Sequence, residues 1–86
     1  MACYTIELKP KAAKELRKLP IPIIRKIASK IDQLALNPYP KGCKKLTGSE
    51  HSYRVRIGDY LVIYTVFDDK LIIQVIKIGH RKNIYR

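Results

Sequence analysis

Hydrophobic and polar residues alternate at the start of the chain and then change to a helical period. Tyr4, Ile6 and Leu8 alternate with polar neighbours, a pattern that predicts a short, half-buried strand. Pro10 fits the first turn of a helix, where a missing N–H is harmless, and Pro20 ends that helix. The chain is therefore predicted to open with a strand followed by a short helix.

The strongest helical period in the sequence follows directly. It begins at Pro22, ends at Asn37, and carries apolar residues at steps of three and four: Ile24, Ile27, Ala28, Ile31, Leu34 and Ala35. Basic and polar residues occupy the other side of this predicted helix. The two helices meet at a Pro-Ile-Pro corner, so they are expected to form a helical hairpin.

The second half of the chain has the pattern of a three-stranded meander. Ser52 to Ile57, Tyr60 to Phe67 and Leu71 to Ile78 are rich in strand-forming residues. Gly58-Asp59 and Asp68-Asp69 separate them, as two-residue hairpin loops would. The whole pattern predicts one α+β domain over residues 1–86: an N-terminal strand, a two-helix hairpin and a three-stranded antiparallel meander.

Two-residue loops also predict which residues face each other. The first loop places Arg56 opposite Leu61 and Arg54 opposite Ile63, whereas the second would pair Phe67 with Lys70. One face would then hold Arg54, Arg56, Leu61, Ile63, Thr65, Gln74 and Ile76. The other, more continuously apolar, would hold Tyr53, Val55, Val62, Tyr64, Val66, Leu71, Ile73 and Val75. We expect the helices to pack on this apolar face.

The net charge of the chain indicates what kind of partner it binds. The chain has 18 Lys and Arg residues against seven Asp and Glu, which gives a formal net charge of +11 over 86 residues. The excess is spread over both halves, so the folded domain itself must present a positive surface. Such a surface indicates a polyanionic partner or an acidic protein.

Several function classes find no support in the sequence. The chain shows no spanning apolar stretch and no secretory pattern, so a cytoplasmic protein without membrane association is expected. Cys3 and Cys43 lack metal-ligand spacing, which predicts no metal and no cofactor, although a disulfide between them stays open. No nucleophilic triad, carboxylate pair or glycine-rich phosphate loop is visible. Asp59, Asp68 and Asp69 are expected to form turns.

Two groups of residues remain as candidates for chemistry. Arg54 and Arg56 lie on the same side of one strand, about 6.7 Å apart, close enough to bind neighbouring phosphate oxygens or simply to keep a strand face soluble. The segment Gly79 to Arg86 follows the third strand and combines four basic or imidazole side chains with Ile84 and Tyr85. These two apolar or aromatic residues could pack or stack beside the charges.

The two segments together resemble a known family. Tyr53 to Tyr64, followed by Gly79-His80-Arg81-Lys82 and Tyr85, is similar to RelE-type toxins of bacterial toxin–antitoxin pairs. Similar segments occur at residues 14–20, 37–38 and 44–48, so the resemblance covers nearly the whole chain. It implies the microbial-ribonuclease-like RelE/ParE fold, which agrees with the order of elements read from periodicity.

The resemblance further implies ribosome-dependent cleavage of messenger RNA at the decoding site. The implied catalytic residues are Arg54, Arg56, Arg81, Tyr85 and His80, and the implied RNA-binding residues are Lys44, Lys45, Lys82 and Arg86. Because arginines stay protonated, Tyr85 and His80 are left to move protons, with a structural role for His80 equally open. The expected partners are the ribosome, messenger RNA and a cognate antitoxin that places acidic side chains over the arginines.

One residue departs from the family pattern. Leu61 stands where these toxins usually carry an arginine, and a lost cation of this kind slows a reaction by about 10²–10³-fold. Two alternatives therefore stay open: a ParE-like inhibitor of DNA gyrase, and a catalytically weakened homologue that only binds RNA or the ribosome.

Overall fold

The fold is a five-stranded mixed sheet with two helices on one face. In this computed structural model, which describes residues 3–84, β1 (Thr5–Leu8) is followed by α1 (Pro10–Arg17) and α2 (Ile21–Leu36). The remaining strands are β2 (Lys44–Lys45), β3 (Ser52–Ile57), β4 (Tyr60–Phe67) and β5 (Ile72–His80). The predicted α+β order of elements is confirmed.

The strand order β1-β5-β4-β3-β2 contains two pairings that periodicity did not predict. The opening strand β1 runs parallel to β5, so Thr5 pairs with Ile72. The short strand β2 pairs with Tyr53 and Arg54 near the beginning of β3, and no other described strand pairs with β3 on that side. The first pairing joins segments that are distant in sequence, and the second involves a strand of only two residues, too short to show an alternating pattern.

The first hairpin has the predicted register. Ile57 pairs with Tyr60, Arg56 with Leu61 and Arg54 with Ile63. Gly58 has a φ of +60°, and a glycine supplies this positive φ without a steric penalty. The two arginines therefore lie on one face of β3, as the sequence indicated.

The predicted register of the second hairpin is wrong. Phe67 pairs with Ile72 rather than Lys70, so the loop contains four residues and Leu71, expected in the strand, lies in the turn at a φ of +54°. The register shifts again between Ile63 and Tyr64, where an extra residue of β5 forms a bulge. Beyond this bulge Lys77 and Gly79, not Gln74 and Ile76, lie opposite Ile63 and Leu61.

The main core lies between the helices and the predicted apolar face of the sheet. Its buried residues come from both helices and from β3, β4 and β5: Ala12, Ile27, Ile31, Leu34, Val55, Val62, Tyr64, Val66, Ile73, Val75 and Ile78. Burial of a β-branched or leucine side chain of this size stabilises a fold by about 1.5–3 kcal/mol. The helices thus cover this face, and the opposite face stays open for function.

The open face has a smaller cluster of its own. Leu61, Ile63 and Ile84 are buried there, and Leu46 packs against them. Among residues 3–84, no helix is both long enough and apolar enough to span a membrane.

Candidate nucleic-acid site

A cationic cavity of about 480 Å³ lies on the open face of the sheet. Its lining comes from β2, β3, β4, the segment before β2 and the turn after β5: Gly42, Lys44, Arg54, Arg56, Leu61, Arg81 and Lys82. Five of these seven residues are basic and none is acidic. The structure therefore brings together five residues that the sequence analysis had selected from three separate segments.

Strand pairing orients the first three cations. Arg54 and Arg56 alternate along β3, and Lys44 of β2 pairs with Arg54, so all three belong to the same face. Lys45 pairs with Tyr53 instead. It lines a neighbouring depression with Leu46, Thr47 and Arg54 rather than the main cavity.

Asp59 joins two of the arginines. Its carboxylate oxygen Oδ1 lies 3.9 Å from a terminal nitrogen of Arg56 and 3.8 Å from Nε of Arg81. Its backbone carbonyl accepts a hydrogen bond of 2.9 Å from the Arg81 N–H, and Nε of Arg56 donates to the carbonyl of Gly58 at 2.6 Å. The turn between β3 and β4 thereby positions cations from β3 and from the segment after β5, a role that sequence reasoning missed when it assigned Asp59 to turn formation.

The turn after β5 is held down by an apolar contact. Ile84 is only 2% exposed and packs with Leu61 and Ile63. The Ile84 side chain also lies over Gly79 of β5, where an added β-carbon would be 3.7 Å away, at ordinary van der Waals distance. The expected packing of Ile84 beside the charges is present, and it fixes Arg81 and Lys82 at the cavity.

His80 does not reach the cavity. It pairs with Tyr60, and the two rings meet edge to face with their centroids 5.5 Å apart. Its Nδ1 accepts a hydrogen bond of 3.1 Å from the backbone N–H of Lys82, and its carbonyl accepts from the N–H groups of Asn83 and Ile84. These contacts are typical of a structural role for His80, the alternative to a role in proton transfer. Tyr85 and Arg86, the other two predicted residues of this segment, lie outside the described residues.

A cluster of tyrosines holds the segment that precedes β2. The buried hydroxyl of Tyr64 donates to the carbonyl of Pro38 at 2.7 Å. Tyr39 packs edge to face on Tyr53, and its hydroxyl donates to Asp68 at 2.8 Å. Burial is the main cause that raises the pKa of both Tyr39 and Tyr64, so both stay neutral donors. These contacts hold residues 38–39 in place, and the chain runs from there to Gly42 and Lys44, which form one wall of the cavity.

Asp68 is more than the turn residue that the sequence predicted. The Tyr4 hydroxyl donates to one carboxylate oxygen at 2.6 Å, and the Tyr39 hydroxyl donates to the other. These two hydrogen bonds hold the pKa of Asp68 below its ordinary value of 3.8.

The donor set does not suggest a metal centre. Cys3 and Cys43 are free thiols. Over residues 3–84, no group of three or more His, Cys, Asp or Glu side chains is arranged to hold a metal ion. The chemistry of the cavity, as described, is that of several fixed guanidinium and ammonium groups, which suits an anion with many oxygens.

Comparisons with known proteins agree with this fold and this site. Residues 6–85 match the family model described as ParE toxin of type II toxin-antitoxin system, parDE. The chain is 37% identical to a Methanocaldococcus jannaschii protein named as a RelE1 toxin, over 96% of each chain. It is 27% identical to the mRNA interferase toxin RelE of Escherichia coli (strain K12), over 92% of this chain and 84% of that one.

A solved structure extends the likeness to three dimensions. The archaeal RelE-RelB complex from Pyrococcus horikoshii OT3 contains a chain that superposes with a TM-score of 0.80 at 30% identity, over 96% of this chain and 99% of that one. The protein described here belongs to the RelE/ParE superfamily of type II toxins. The resemblance read from the sequence is thereby confirmed.

Proposed function

We propose that this toxin is a ribosome-dependent endoribonuclease that cuts messenger RNA and so inhibits translation. The observation that carries the proposal is the cavity in which Lys44, Arg54, Arg56, Arg81 and Lys82 surround one concave space. Relatives named as mRNA interferases share the superfamily at 27% identity. A cationic cavity on a rigid sheet suits the binding of a phosphodiester whose negative charge grows during reaction.

The proposed reaction is an internal transfer at phosphorus. The 2′-hydroxyl of the RNA loses its proton and bonds to the adjacent phosphorus, while the bond from phosphorus to the 5′-oxygen breaks and that oxygen takes up a proton. The products are a 2′,3′-cyclic phosphate and a 5′-hydroxyl. Arg54, Arg56 and Arg81 stabilise the additional negative charge, since guanidinium groups do not give up protons at neutral pH.

Proton transfer is assigned to other residues. Tyr85 is proposed to stack on a base and to accept the 2′-proton, because neighbouring cations favour the phenolate form of a tyrosine. His80 is proposed to position the turn rather than to act as an acid, since its Nδ1 is occupied by the N–H of Lys82. The ammonium groups of Lys44 and Lys82 are the remaining donors at the cavity for the leaving 5′-oxygen.

Dependence on the ribosome follows from what this site lacks. Leu61 supplies no charge at the floor of the cavity, so catalysis must draw more on the alignment of the 2′-hydroxyl with the phosphorus. A messenger held in the decoding site would arrive in that alignment. The broad positive charge would then add binding that weakens strongly with salt.

An antitoxin is the proposed partner that silences the toxin. The relative from P. horikoshii was solved as a RelE-RelB complex. For this chain we expect a cognate antitoxin that places carboxylates over Arg54, Arg56 and Arg81, because burial of these cations without counter-charges would be unfavourable.

Primer extension on messenger bound to stalled ribosomes tests the proposal. The wild-type protein should cut within the decoding site only when ribosomes are present. Arg81→Ala should lower the cleavage rate by about 10²–10³-fold and Tyr85→Phe should also lower it, whereas Arg25→Ala, an equal loss of charge on the exposed side of α2, should not. Intact messenger with wild-type protein would contradict the proposal, as would unchanged cutting by Arg81→Ala and Tyr85→Phe.

Inhibition of DNA gyrase is the second candidate function. It is favoured by the match to the ParE family model and by an apolar residue, Leu61, at the floor of the cavity. A supercoiling assay with purified gyrase separates the two functions. Inhibition of supercoiling by wild-type protein that leaves ribosome-bound messenger intact would select this alternative.

A further inference from the structure

Another concave surface lies at the edge of the sheet, on the side of the main cavity where Arg56 is found. Four residues of α2 and two of β3 line this groove of about 220 Å³: Lys26, Ser29, Lys30, Gln33, Arg56 and Ile57. The four helical residues follow the spacing of one helix face, so they project in the same direction. We call this surface the edge groove.

The edge groove exists because β2 is short. Its two residues, Lys44 and Lys45, pair with Arg54 and Tyr53, so within residues 3–84 the end of β3 has no strand neighbour on that side. Arg56 and Ile57 are consequently reached from the side where α2 lies. The polar side chains that line the groove are two ammonium groups, a guanidinium, a hydroxyl and an amide, and no acidic residue is among them. This donor-rich lining fits an anion.

Arg56 lines both of these concave surfaces. The main cavity and the edge groove therefore adjoin at its side chain, at the edge of the sheet. A ligand with regularly repeated negative charges could occupy both at once. An RNA strand carries one such charge per nucleotide, and proteins follow its backbone with grooves of this kind.

We propose that the edge groove binds the phosphate backbone of the same messenger strand that enters the main cavity, through Lys26 and Lys30. This inference rests on the proposed function, because the two surfaces meet at Arg56, which we assign to the reacting phosphate. It extends that function by giving the strand a path: from Arg81 and Lys82, past Arg56, and on to α2. Lys26 and Lys30 are therefore binding residues remote from the reacting phosphate.

Salt dependence of RNA binding provides a direct test. The probe is a fluorescein-labelled 2′-O-methyl oligouridylate, which lacks the 2′-hydroxyl and cannot be cut, and its binding is followed by fluorescence anisotropy at several salt concentrations. The slope of log K against log salt is negative, and each lost contact between a cation and a phosphate of a single strand reduces its magnitude by about 0.7. The double variant Lys26→Ala/Lys30→Ala should thus lose about 1.4 from the slope.

The matched control is Lys11→Ala/Lys14→Ala, which removes the same charge from exposed positions on α1. It should keep the wild-type slope. Equal slopes for the two double variants would overturn the edge groove as an RNA site, because the position of the lost charges would then make no difference to RNA binding. An unchanged slope together with weaker capture of an acidic antitoxin peptide by Lys26→Ala/Lys30→Ala would overturn it in favour of a protein-docking surface.

Oligonucleotide length adds a second readout. Lengthening the probe from a size that fills the main cavity should increase the affinity of the wild-type protein and of the α1 control more than that of Lys26→Ala/Lys30→Ala. The same length dependence in all three proteins would overturn the proposal. Because the probe is never cut, these results do not depend on cleavage, and a failure of the proposed nuclease activity is recognised separately by primer extension.

Discussion

The two faces of the sheet carry apolar clusters that differ in size and in what they stabilise. On the helix-covered face, eleven buried residues from two helices and three strands form one continuous cluster. On the open face, Leu61, Ile63 and Ile84 form a small cluster whose outer neighbours are cations. The first cluster holds the fold together, and the second fixes a short turn that carries Arg81 and Lys82. The residues that stabilise the fold and those of the proposed site thus lie on opposite faces of one sheet, so substitutions on the two faces should have different effects on stability and on activity.

Truncation of the large core should have the largest effect on stability. Ile73 is fully buried on the helix-covered face, so Ile73→Ala should lower the free energy of unfolding by about 2–5 kcal/mol. Urea unfolding followed by circular dichroism measures this loss. Leu36→Ala is the control, because Leu36 is 68% exposed and its replacement should stay within about 0.5 kcal/mol of wild type.

Truncation of the small cluster should show the reverse signature. Ile84→Ala removes the side chain that holds the turn, so the turn should open locally while the rest of the sheet stays folded. Misplacement of Arg81 and Lys82 should lower the rate of messenger cleavage by up to about 10²-fold. Thermal unfolding and primer extension are measured on the same preparation. A loss of global stability as large as that of Ile73→Ala, with full activity, would contradict the separation of the two faces.

An arginine at position 61 should not simply restore the family pattern. Leu61 is only 5% exposed and packs against Ile63 and Ile84, so Leu61→Arg would force a larger, charged side chain into this cluster. We expect a loss of about 1–3 kcal/mol and a looser turn, with no gain in cleavage rate. Leu61→Met, which conserves volume, should behave like wild type. A faster Leu61→Arg enzyme of unchanged stability would show that the cluster is dispensable.

Asp68 should produce the smallest effect, and one that depends on pH. The hydroxyls of Tyr4 and Tyr39 depress its pKa below 3.8, so its contribution to stability is present above that pH and is lost as the pH falls through the folded-state pKa. Asp68→Asn should be slightly less stable than wild type at neutral pH, and the two should converge under acid conditions. Urea unfolding of both proteins at several pH values across this acidic range measures the difference in their stability. A difference that does not change with pH would contradict the stabilising role of the ionised Asp68.

Much of the fold could be predicted because its signals are local. The alternation in β3 and β4 and the Gly58-Asp59 loop define a register, and the structure has that register. The second hairpin could not be predicted in the same way. Its turn uses Leu71 at a positive φ and its strand contains a bulge, and neither choice is visible in residues that are themselves typical of strands.

The candidate site divides along the same line. Arg54 and Arg56 could be placed together because they are two residues apart on one strand. Asp59, which lies between Arg56 and Arg81, could not be recognised, because its proximity to Arg81 depends on the pairing of β4 with β5. The ring of His80 could not be oriented for a related reason: the bulge in β5 decides which residues after it face the cavity.

The parallel pairing of β1 with β5 has a consequence for biosynthesis. Of the strands that the structure describes, β1 is synthesised first, and its neighbour in the sheet, β5, is synthesised last and separates it from β4. A nascent chain that lacks residues 72–84 therefore has no β5 to join β1 to β4, and it also lacks Arg81 of the cavity. Contacts between such distant segments form late and slowly. The sheet, and with it the cationic cavity, is thus complete only after residues 72–84 have been synthesised.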